Sequence, residues 1–164
     1  SPGVGDVTSA YELMLSAQPA DLASSTESRQ QGSPPFSGLR VAIVDDDPLV
    51  ARMVQAMLLN GGCEAVEMAP MRDALRLQKL SGRAIDLVIF DSSNILVGID
   101  QFTATISADV EDCYFIAMHP VNMSSAPPTN ANIIATIHRP PTLEQLRSAI
   151  SESGILVKKQ ENKR

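Results

Sequence analysis

The sequence predicts an α/β fold, a doubly wound sheet of five parallel strands in the order 2-1-3-4-5. From residue 39 onward, short apolar runs alternate with segments of helical apolar spacing. Strands of a parallel sheet are buried on both faces and read as continuous apolar runs, and strands that alternate with helices form such a sheet. Two of the runs also end in aspartates, at the edge where open α/β sheets place their sites.

The first half of the pattern contains three strands and two helices. Proline suits the first turn of a helix, so helix 1 begins near Pro48, and the Asn-Gly-Gly run beyond it ends the helix. The remaining elements are short apolar runs or repeat apolar residues every three to four positions. We predict strand 1 at Leu39–Val44, strand 2 at Cys63–Met68, helix 2 at residues 71–81 and strand 3 at Asp86–Phe90.

The second half contains two strands, two helices and an irregular segment. We predict a third helix at Ile99–Ser107, strand 4 at Tyr114–Met118, strand 5 at Ile133–Ile137 and a last helix at Leu143–Glu152 with Thr142 as its cap. Residues 120–132 contain two adjacent prolines and several Ser and Asn residues, which oppose a helix. We therefore expect four clear helices, with the fourth helix of the alternating pattern reduced or absent.

Composition divides the chain into three parts. Residues 1–38 are expected to be a linker or extension with Ser, Pro and Gln in its second half and a candidate short helix at Thr8–Leu15. Residues 39–155 form the expected domain, and residues 156–164 a charged tail. The chain begins Ser-Pro-Gly rather than with methionine, which favours a piece of a longer polypeptide.

Charge and cysteine usage exclude several classes of partner. A net charge of −6 does not indicate an exposed phosphate-binding face, so we expect no nucleic-acid partner. The apolar runs are strand-sized, whereas a membrane span needs about 18 residues, so we expect no membrane contact by this segment. Cys63 and Cys113 lack metal-ligand spacing and lie in apolar runs, which favours buried free thiols in a reducing cytoplasm over a disulfide.

Acidic residues follow the first and third strands. Asp45, Asp46 and Asp47 end the first apolar run, and Asp91 ends the third. Because the carboxyl ends of parallel strands meet at one edge of a sheet, these carboxylates should meet there. The arrangement resembles the receiver domain of two-component response regulators, in which an acidic pair and a phosphoaccepting aspartate share one Mg²⁺.

The resemblance implies a flavodoxin-like fold and a role for each acidic residue. Asp45 and Asp46 occupy the positions of the metal-binding pair, and Asp91 occupies the phosphoacceptor position, whose carboxylate attacks a phosphohistidine. The family also supplies a backbone carbonyl to Mg²⁺ two positions after the acceptor, which is Ser93 here. In the family, the stretch between strands 4 and 5 forms a helix of the face that signals phosphorylation.

Four positions depart from the family pattern. The Thr or Ser that binds the phosphoryl group is His119 here, and the Lys before the proline that ends strand 5 is Arg139. The switch aromatic is Thr136, and the proline four residues after the acceptor is Ile95. The departures fall on the phosphorylation and switch machinery while the core pattern survives, which is typical of a degenerate receiver, or pseudo-receiver. We therefore expect weak Mg²⁺ binding and weak or absent phosphorylation of Asp91.

Arg139 has a further consequence for the acidic edge. Its planar guanidinium favours bidentate contact with a carboxylate, so we predict that it contacts Asp91 or the Asp45–Asp46 pair and relieves their mutual repulsion. The competing interpretations are a solvated surface charge for Arg139 and a plain loop residue for His119. A metal site that combines His119, a second histidine and the aspartates is the least favoured alternative.

Three functional hypotheses remain open. The first is a degenerate receiver of a phosphorelay, part of a hybrid sensor histidine kinase, which contacts the histidine kinase core or a neighbouring receiver domain. The second is a functional receiver phosphorylated on Asp91. The third is a pseudo-receiver that senses a small ligand, such as a nucleotide second messenger, at the edge formed by residues 119–140. No nucleophile elbow or glycine-rich phosphate loop occurs, so this segment is not expected to be catalytic, although its parent chain is expected to be a kinase.

Overall fold

The computed structural model describes residues 34–82, 84–108, 110 and 112–162. The linker or extension is predicted over residues 1–38. Its residues 1–33, with the candidate helix at Thr8–Leu15, lie outside the described residues, as do residues 163 and 164. In the described part of the chain, no helix is long and apolar enough to cross a membrane.

The described residues form a five-stranded parallel sheet whose order is β2-β1-β3-β4-β5, as the sequence predicts. Helices cover both faces of this sheet, so the predicted fold class is confirmed. In chain order the elements are β1 (Arg40–Val44), α1 (Pro48–Asn60), β2 (Ala65–Ala69), a 3₁₀ helix (Met71–Arg76), α2 (Leu77–Ser81), β3 (Leu87–Asp91), a 3₁₀ turn (Ser92–Asn94), α3 (Ile99–Ser107), β4 (Tyr114–Pro120), β5 (Ile133–Arg139), α4 (Leu143–Ser153) and α5 (Ile155–Asn162).

Two apolar layers hold the helices to the sheet. On one face, α1 and α4 pack on alternate residues of the strands, and on the other face the 3₁₀ helix, α2 and α3 do so. All five residues of β3 are buried because β3 lies at the centre of the sheet. The packing therefore fixes Asp91, the last residue of β3, at the carboxyl edge of the sheet.

The predicted helix over residues 71–81 is broken into two parts. Residues 71–76 are a 3₁₀ helix, and only Leu77–Ser81 is α-helical. Met71, Ala74 and Leu77 are buried at a spacing of three residues, which matches the three residues per turn of a 3₁₀ helix. Packing against the sheet therefore determines the conformation here, where the sequence pattern predicts a continuous α-helix.

The ordered fold begins before residue 39, the predicted boundary. Residues 34–38 form a turn, and Phe36 within it is fully buried and donates its N–H to the Gly61 carbonyl at 2.8 Å. A Cβ at Gly61 would lie 2.1 Å from the Phe36 ring, so the ring rests directly on the glycine backbone. A lone aromatic residue in a polar stretch carries too weak a sequence signal to predict this contact.

The other boundary also differs, because residues 156–162 of the predicted charged tail belong to α5. Gly154 has φ 76 and ends α4, after which the chain starts a new helical segment. Ile155 is buried, Lys159 binds Asp86, and the Lys158 ammonium lies 4.9 Å from the centre of the Tyr114 ring. The lysines that suggest a solvated tail thus hold α5 against the amino edge of the sheet.

The segment between β4 and β5 contains no helix, which confirms the prediction for residues 120–132. The side chain of Asn130 ties it to α3 by donating to Asp100 Oδ1 and Thr103 Oγ1, each at 3.0 Å. On the strand that a helix would cover, Thr136 and His138 are exposed. Because both side chains are polar, the absence of a helix over these two positions leaves no apolar side chain exposed at either of them.

Candidate functional site

Three ion-pairing residues meet at the carboxyl edge of the sheet. Asp45 directly follows β1, Asp91 ends β3 and Arg139 ends β5. Arg139 donates from Nε to Asp45 Oδ2 at 2.9 Å and from Nη2 to Asp45 Oδ1 at 2.8 Å. One guanidinium thus binds both carboxylate oxygens of Asp45, a residue that is only 6 % exposed, in the bidentate geometry that arginine favours.

The same guanidinium also reaches the predicted phosphoacceptor. Arg139 Nε lies 3.4 Å from Asp91 Oδ2, so one cation bridges the ends of β1 and β3. The hydrogen bonds to Asp45 raise the pKa of Arg139 above its usual value, and the charges of Asp45, Asp91 and Asp47 add to this, while partial burial opposes it. The predicted contact of Arg139 with the acidic cluster is confirmed, and its interpretation as a solvated surface charge is wrong.

The carboxylate of Asp91 has a protein partner at each oxygen. Oδ1 accepts from the Ser93 N–H at 3.0 Å and from Ser93 Oγ at 2.6 Å, and Oδ2 faces Arg139. The side chain is buried, with 5 % of the residue exposed. A nucleophile needs a free lone pair and a path for its reaction partner, and these contacts restrict both.

The other two aspartates, Asp46 and Asp47, accept hydrogen bonds from backbone N–H groups and from a loop side chain. Asp46 Oδ1 accepts from the Met71 N–H at 2.8 Å, and Oδ2 accepts from Asn94 Nδ2 at 2.8 Å. Asp47 caps α1 by accepting from the Leu49 N–H at 2.9 Å. Sequence reasoning missed Asn94, because one amide in a polar loop gives no signal until the fold brings it to Asp46.

This arrangement does not fit a Mg²⁺ ion. Mg²⁺ needs carboxylate oxygens directed at one point with room for its waters, yet Arg139 occupies both oxygens of Asp45, and Ser93 donates to Asp91. Across the described ranges, no group of three or more His, Cys, Asp or Glu side chains could hold a metal ion. The ligand set predicted from the sequence, Asp45, Asp46, Asp91 and Ser93, stays a prediction.

His119 occupies the end of β4 and links two loops. Its Nδ1 lies 2.8 Å from Ser92 Oγ, and its Nε2 lies 2.9 Å from the Ser125 carbonyl oxygen. In register, His119 lies beside His138 on β5. Thr136, the residue at the switch-aromatic position, is exposed and two residues before His138 on the same strand. Ser92 is the contact that the sequence did not predict, since its role depends on the pairing of β3 with β4.

A shallow cleft of about 240 Å³ lies beside the acidic pair, Asp45 and Asp46. Its lining is mainly apolar and comprises Asp45, Asp46, Pro48, Ala51, Arg52, Met68, Ala69 and Pro70. It contains no residue from positions 119–140, the edge at which the ligand-sensing hypothesis places its site. The cleft therefore adds no support to that hypothesis.

Comparisons with known proteins show which fold this is. No protein-family model matches the sequence, and no curated protein matches it. The structure is similar to a response regulator receiver domain protein from Clostridium thermocellum, with a TM-score of 0.57 and 18 % identity over 74 % of this chain and 98 % of that one. It is also similar to a two component transcriptional regulator AraC from Clostridium phytofermentans, with a TM-score of 0.57 and 16 % identity over 76 % of this chain and 99 % of that one.

A chain from the complex of histidine kinase ThkA with response regulator protein TrrA is similar as well. It has a TM-score of 0.54 and 16 % identity over 70 % of this chain and 97 % of that one. At these identities the likeness concerns the fold.

Proposed function

We propose that the described part of the chain, which has the fold of a response-regulator receiver domain, is a degenerate receiver. It is a cytoplasmic two-component signalling module that regulates a linked or partner histidine kinase through protein contacts, with little or no phosphorylation of Asp91. A neighbouring receiver domain is the other partner that fits. The structure known for ThkA with TrrA gives a precedent for such a contact between a kinase and a response regulator.

One observation carries the proposal, the bidentate ion pair between Arg139 and Asp45. In a working receiver, a divalent cation would neutralise these carboxylates and also polarise the phosphoryl oxygens. The guanidinium supplies the neutralising charge without an open coordination position. The cluster is thereby fixed in one state that needs neither metal nor phosphate.

The charges of Asp45, Asp91 and Arg139 support the same conclusion. Asp45 and Asp91 are both buried, and two buried carboxylates that share an edge repel each other. Arg139 compensates that repulsion permanently, because arginine is effectively always protonated. A metal ion or a phosphoryl group would first have to displace a charge-assisted, two-bond contact.

The second hypothesis, a functional phosphoacceptor, keeps one supporting observation. Asp91 is present at the end of β3, and its contact with Arg139 at 3.4 Å is longer than the Arg139–Asp45 bonds. A rotation of Arg139 that broke the Asp91 contact alone would free Oδ2. Phosphorylation chemistry therefore distinguishes the two hypotheses directly.

The deciding experiment is intact-mass measurement after incubation with acetyl phosphate and Mg²⁺. We expect only a small fraction of the parent chain to gain the mass of one phosphoryl group. A double variant, Arg139→Lys with His119→Thr, introduces the residue types of the receiver pattern at both positions, and we expect its phosphorylated fraction to rise at least several-fold.

Asp91→Asn in the double-variant background is the control, since it removes the acceptor and should abolish the signal. A large phosphorylated fraction in the parent, lost in Asp91→Asn, would overturn the proposal in favour of a working receiver. If the double variant stays folded but is not phosphorylated, Arg139 and His119 are not the cause of the low phosphorylation of the parent chain.

A further inference from the structure

The irregular loop between β4 and β5, residues 121–132, is tethered to the acidic edge through His119. Ser92 adjoins Asp91, and its Oγ lies 2.8 Å from His119 Nδ1. His119 Nε2 in turn lies 2.9 Å from the carbonyl oxygen of Ser125, in the middle of the loop. One imidazole therefore joins the turn after β3 to a loop that lacks regular structure.

The protons available to these contacts can be counted. The Ser125 carbonyl only accepts, so His119 Nε2 must carry a proton to bond it. The Ser92 hydroxyl has one proton and two acceptors in reach, the Met118 carbonyl at 3.0 Å and His119 Nδ1 at 2.8 Å. When the imidazole is neutral, the Ser92 hydroxyl proton can bond either the Met118 carbonyl or His119 Nδ1, but not both.

A second proton on the imidazole changes this count. Nδ1–H then donates to Ser92 Oγ, and the Ser92 proton remains free for the Met118 carbonyl. All three short contacts become hydrogen bonds only in the imidazolium form. The doubly protonated ring therefore completes one hydrogen bond more in this chain than the neutral ring. Its single bond to the loop, at the Ser125 carbonyl, is kept and becomes charge-assisted, which strengthens it.

We propose that the Ser92–His119–Ser125 chain is a pH-sensitive clasp, which holds residues 121–132 more tightly at low pH. Histidine is the side chain whose ordinary charge change falls between about pH 5 and pH 8. The neutral ring is assigned as the Nε2–H tautomer, because only that form keeps the bond to Ser125. The clasp does not depend on the proposed signalling function, and either can fail without the other.

The charged surroundings of the ring have both signs. The turn after β3 contributes Asp91 beside Ser92, and β5 contributes His138 in register and Arg139, whose charge is paired with Asp45 and Asp91. Residues 121–132 contain no ionisable side chain. On α3, Asp100 reaches the loop through Asn130. Negative and positive groups thus both lie on the elements that adjoin the ring.

The test begins with the tautomer, measured by ¹⁵N NMR of the imidazole nitrogens in the full chain. The chain has two histidines, so His138→Gln leaves His119 as the single ring. We expect the Nε2–H tautomer near pH 8. We also expect the protection factor of the Met123 amide, which donates to Pro120 O at 3.2 Å next to the clasp, to rise about two- to tenfold toward pH 5.

Two variants separate the clasp from general pH effects. Ser92→Ala removes the acceptor for Nδ1–H, and His119→Gln keeps a donor and an acceptor but cannot be protonated. In His119→Gln the protection factor of Met123 should lose its dependence on pH, and in Ser92→Ala that dependence should weaken. An Nδ1–H tautomer in the neutral ring would overturn the assignment without any variant. A protection factor that is constant with pH in the parent, or that changes with pH in Ser92→Ala as much as in the parent, would overturn the clasp.

Discussion

At the scale of single residues, Arg139 decides what the acidic edge can do. A lysine ammonium is a compact charge that can move between partners, whereas a guanidinium binds a carboxylate in a fixed two-bond geometry. Arg139 uses that geometry on Asp45 and leaves its Nε within 3.4 Å of Asp91. We propose that this replacement of one basic residue by another closes the cation site of the receiver pattern.

Removal of Arg139 should destabilise the domain. Arg139→Ala leaves Asp45 buried without its partner, and we expect a loss of about 1–3 kcal/mol in the free energy of unfolding, since breaking one side of a buried pair is costly. Urea denaturation followed by circular dichroism measures this loss. Arg147→Ala is the matched control, because Arg147 is exposed and lies 4.0 Å from Glu144. That variant should change the free energy by less than about 0.5 kcal/mol. Equal effects of the two variants would contradict the ion-pair account.

The two cysteines should be inert while the chain is folded. Burial raises the pKa of Cys63 and of Cys113 to about 12, so neither forms much thiolate in neutral solution. We expect thiol reagents at pH 8 to label the native protein far more slowly than the urea-unfolded protein. The unfolded thiols ionise at lower pH than the folded ones, so stability should also fall as the pH rises from about 9 toward 12. Rapid labelling of either cysteine in native buffer would contradict the burial.

At the scale of elements, the sequence predicts what depends on continuous apolar runs. The strand order follows from such runs, and α3 has the predicted bounds. The cap at Thr142 and the absence of a helix before β5 follow instead from residue type, a threonine in one case and adjacent prolines in the other. The break at Arg76 and the docking of α5 do not follow from them. In both cases tertiary contacts override a local pattern, through the three-residue spacing of buried side chains in one and through Lys158 and Lys159 in the other.

The candidate site shows the same division. Strand-end positions predict Asp45, Asp91 and Arg139, because parallel strands bring their carboxyl ends together. Ser92 and Asn94 are not predictable in this way, since each acts through the loop conformation that follows β3. The sequence thus predicts which strand-end residues meet at the site, whereas their partners in the loops are identified only from the structure.

The contact between Phe36 and Gly61 gives an element-scale prediction about where the fold begins. Gly61→Ala places a methyl group where the Phe36 ring lies, so the ring must move. We expect a loss of about 1–3 kcal/mol in the free energy of unfolding. Gly98→Ala is the matched control, because its Cβ would meet nothing within 4 Å. A Gly61→Ala variant as stable as Gly98→Ala would mean that residues 34–38 do not belong to the folded domain.

At the scale of the whole molecule, the fold keeps the architecture of a receiver while its carboxyl edge is closed. The sheet, its order and its two apolar layers are intact. The departures fall on the turn after β3, on β4 and β5, and on the segment between those two strands. Such a molecule retains a rigid scaffold for protein contacts. On the function proposed above, it lacks the arrangement in which a cation and a phosphoryl group would change its shape.

The most direct test of the closed edge is a Mg²⁺ titration followed through the NMR signal of the Arg139 Nε–H. In the parent chain this proton donates to Asp45 at 2.9 Å, so we predict that its chemical shift and slow exchange with water stay unchanged at millimolar Mg²⁺. Arg139→Ala, with the two carboxylates uncovered, should bind Mg²⁺ measurably by calorimetry. If Mg²⁺ instead displaces the Arg139 signal in the parent chain, the guanidinium is not a standing substitute for the cation, and the account is contradicted.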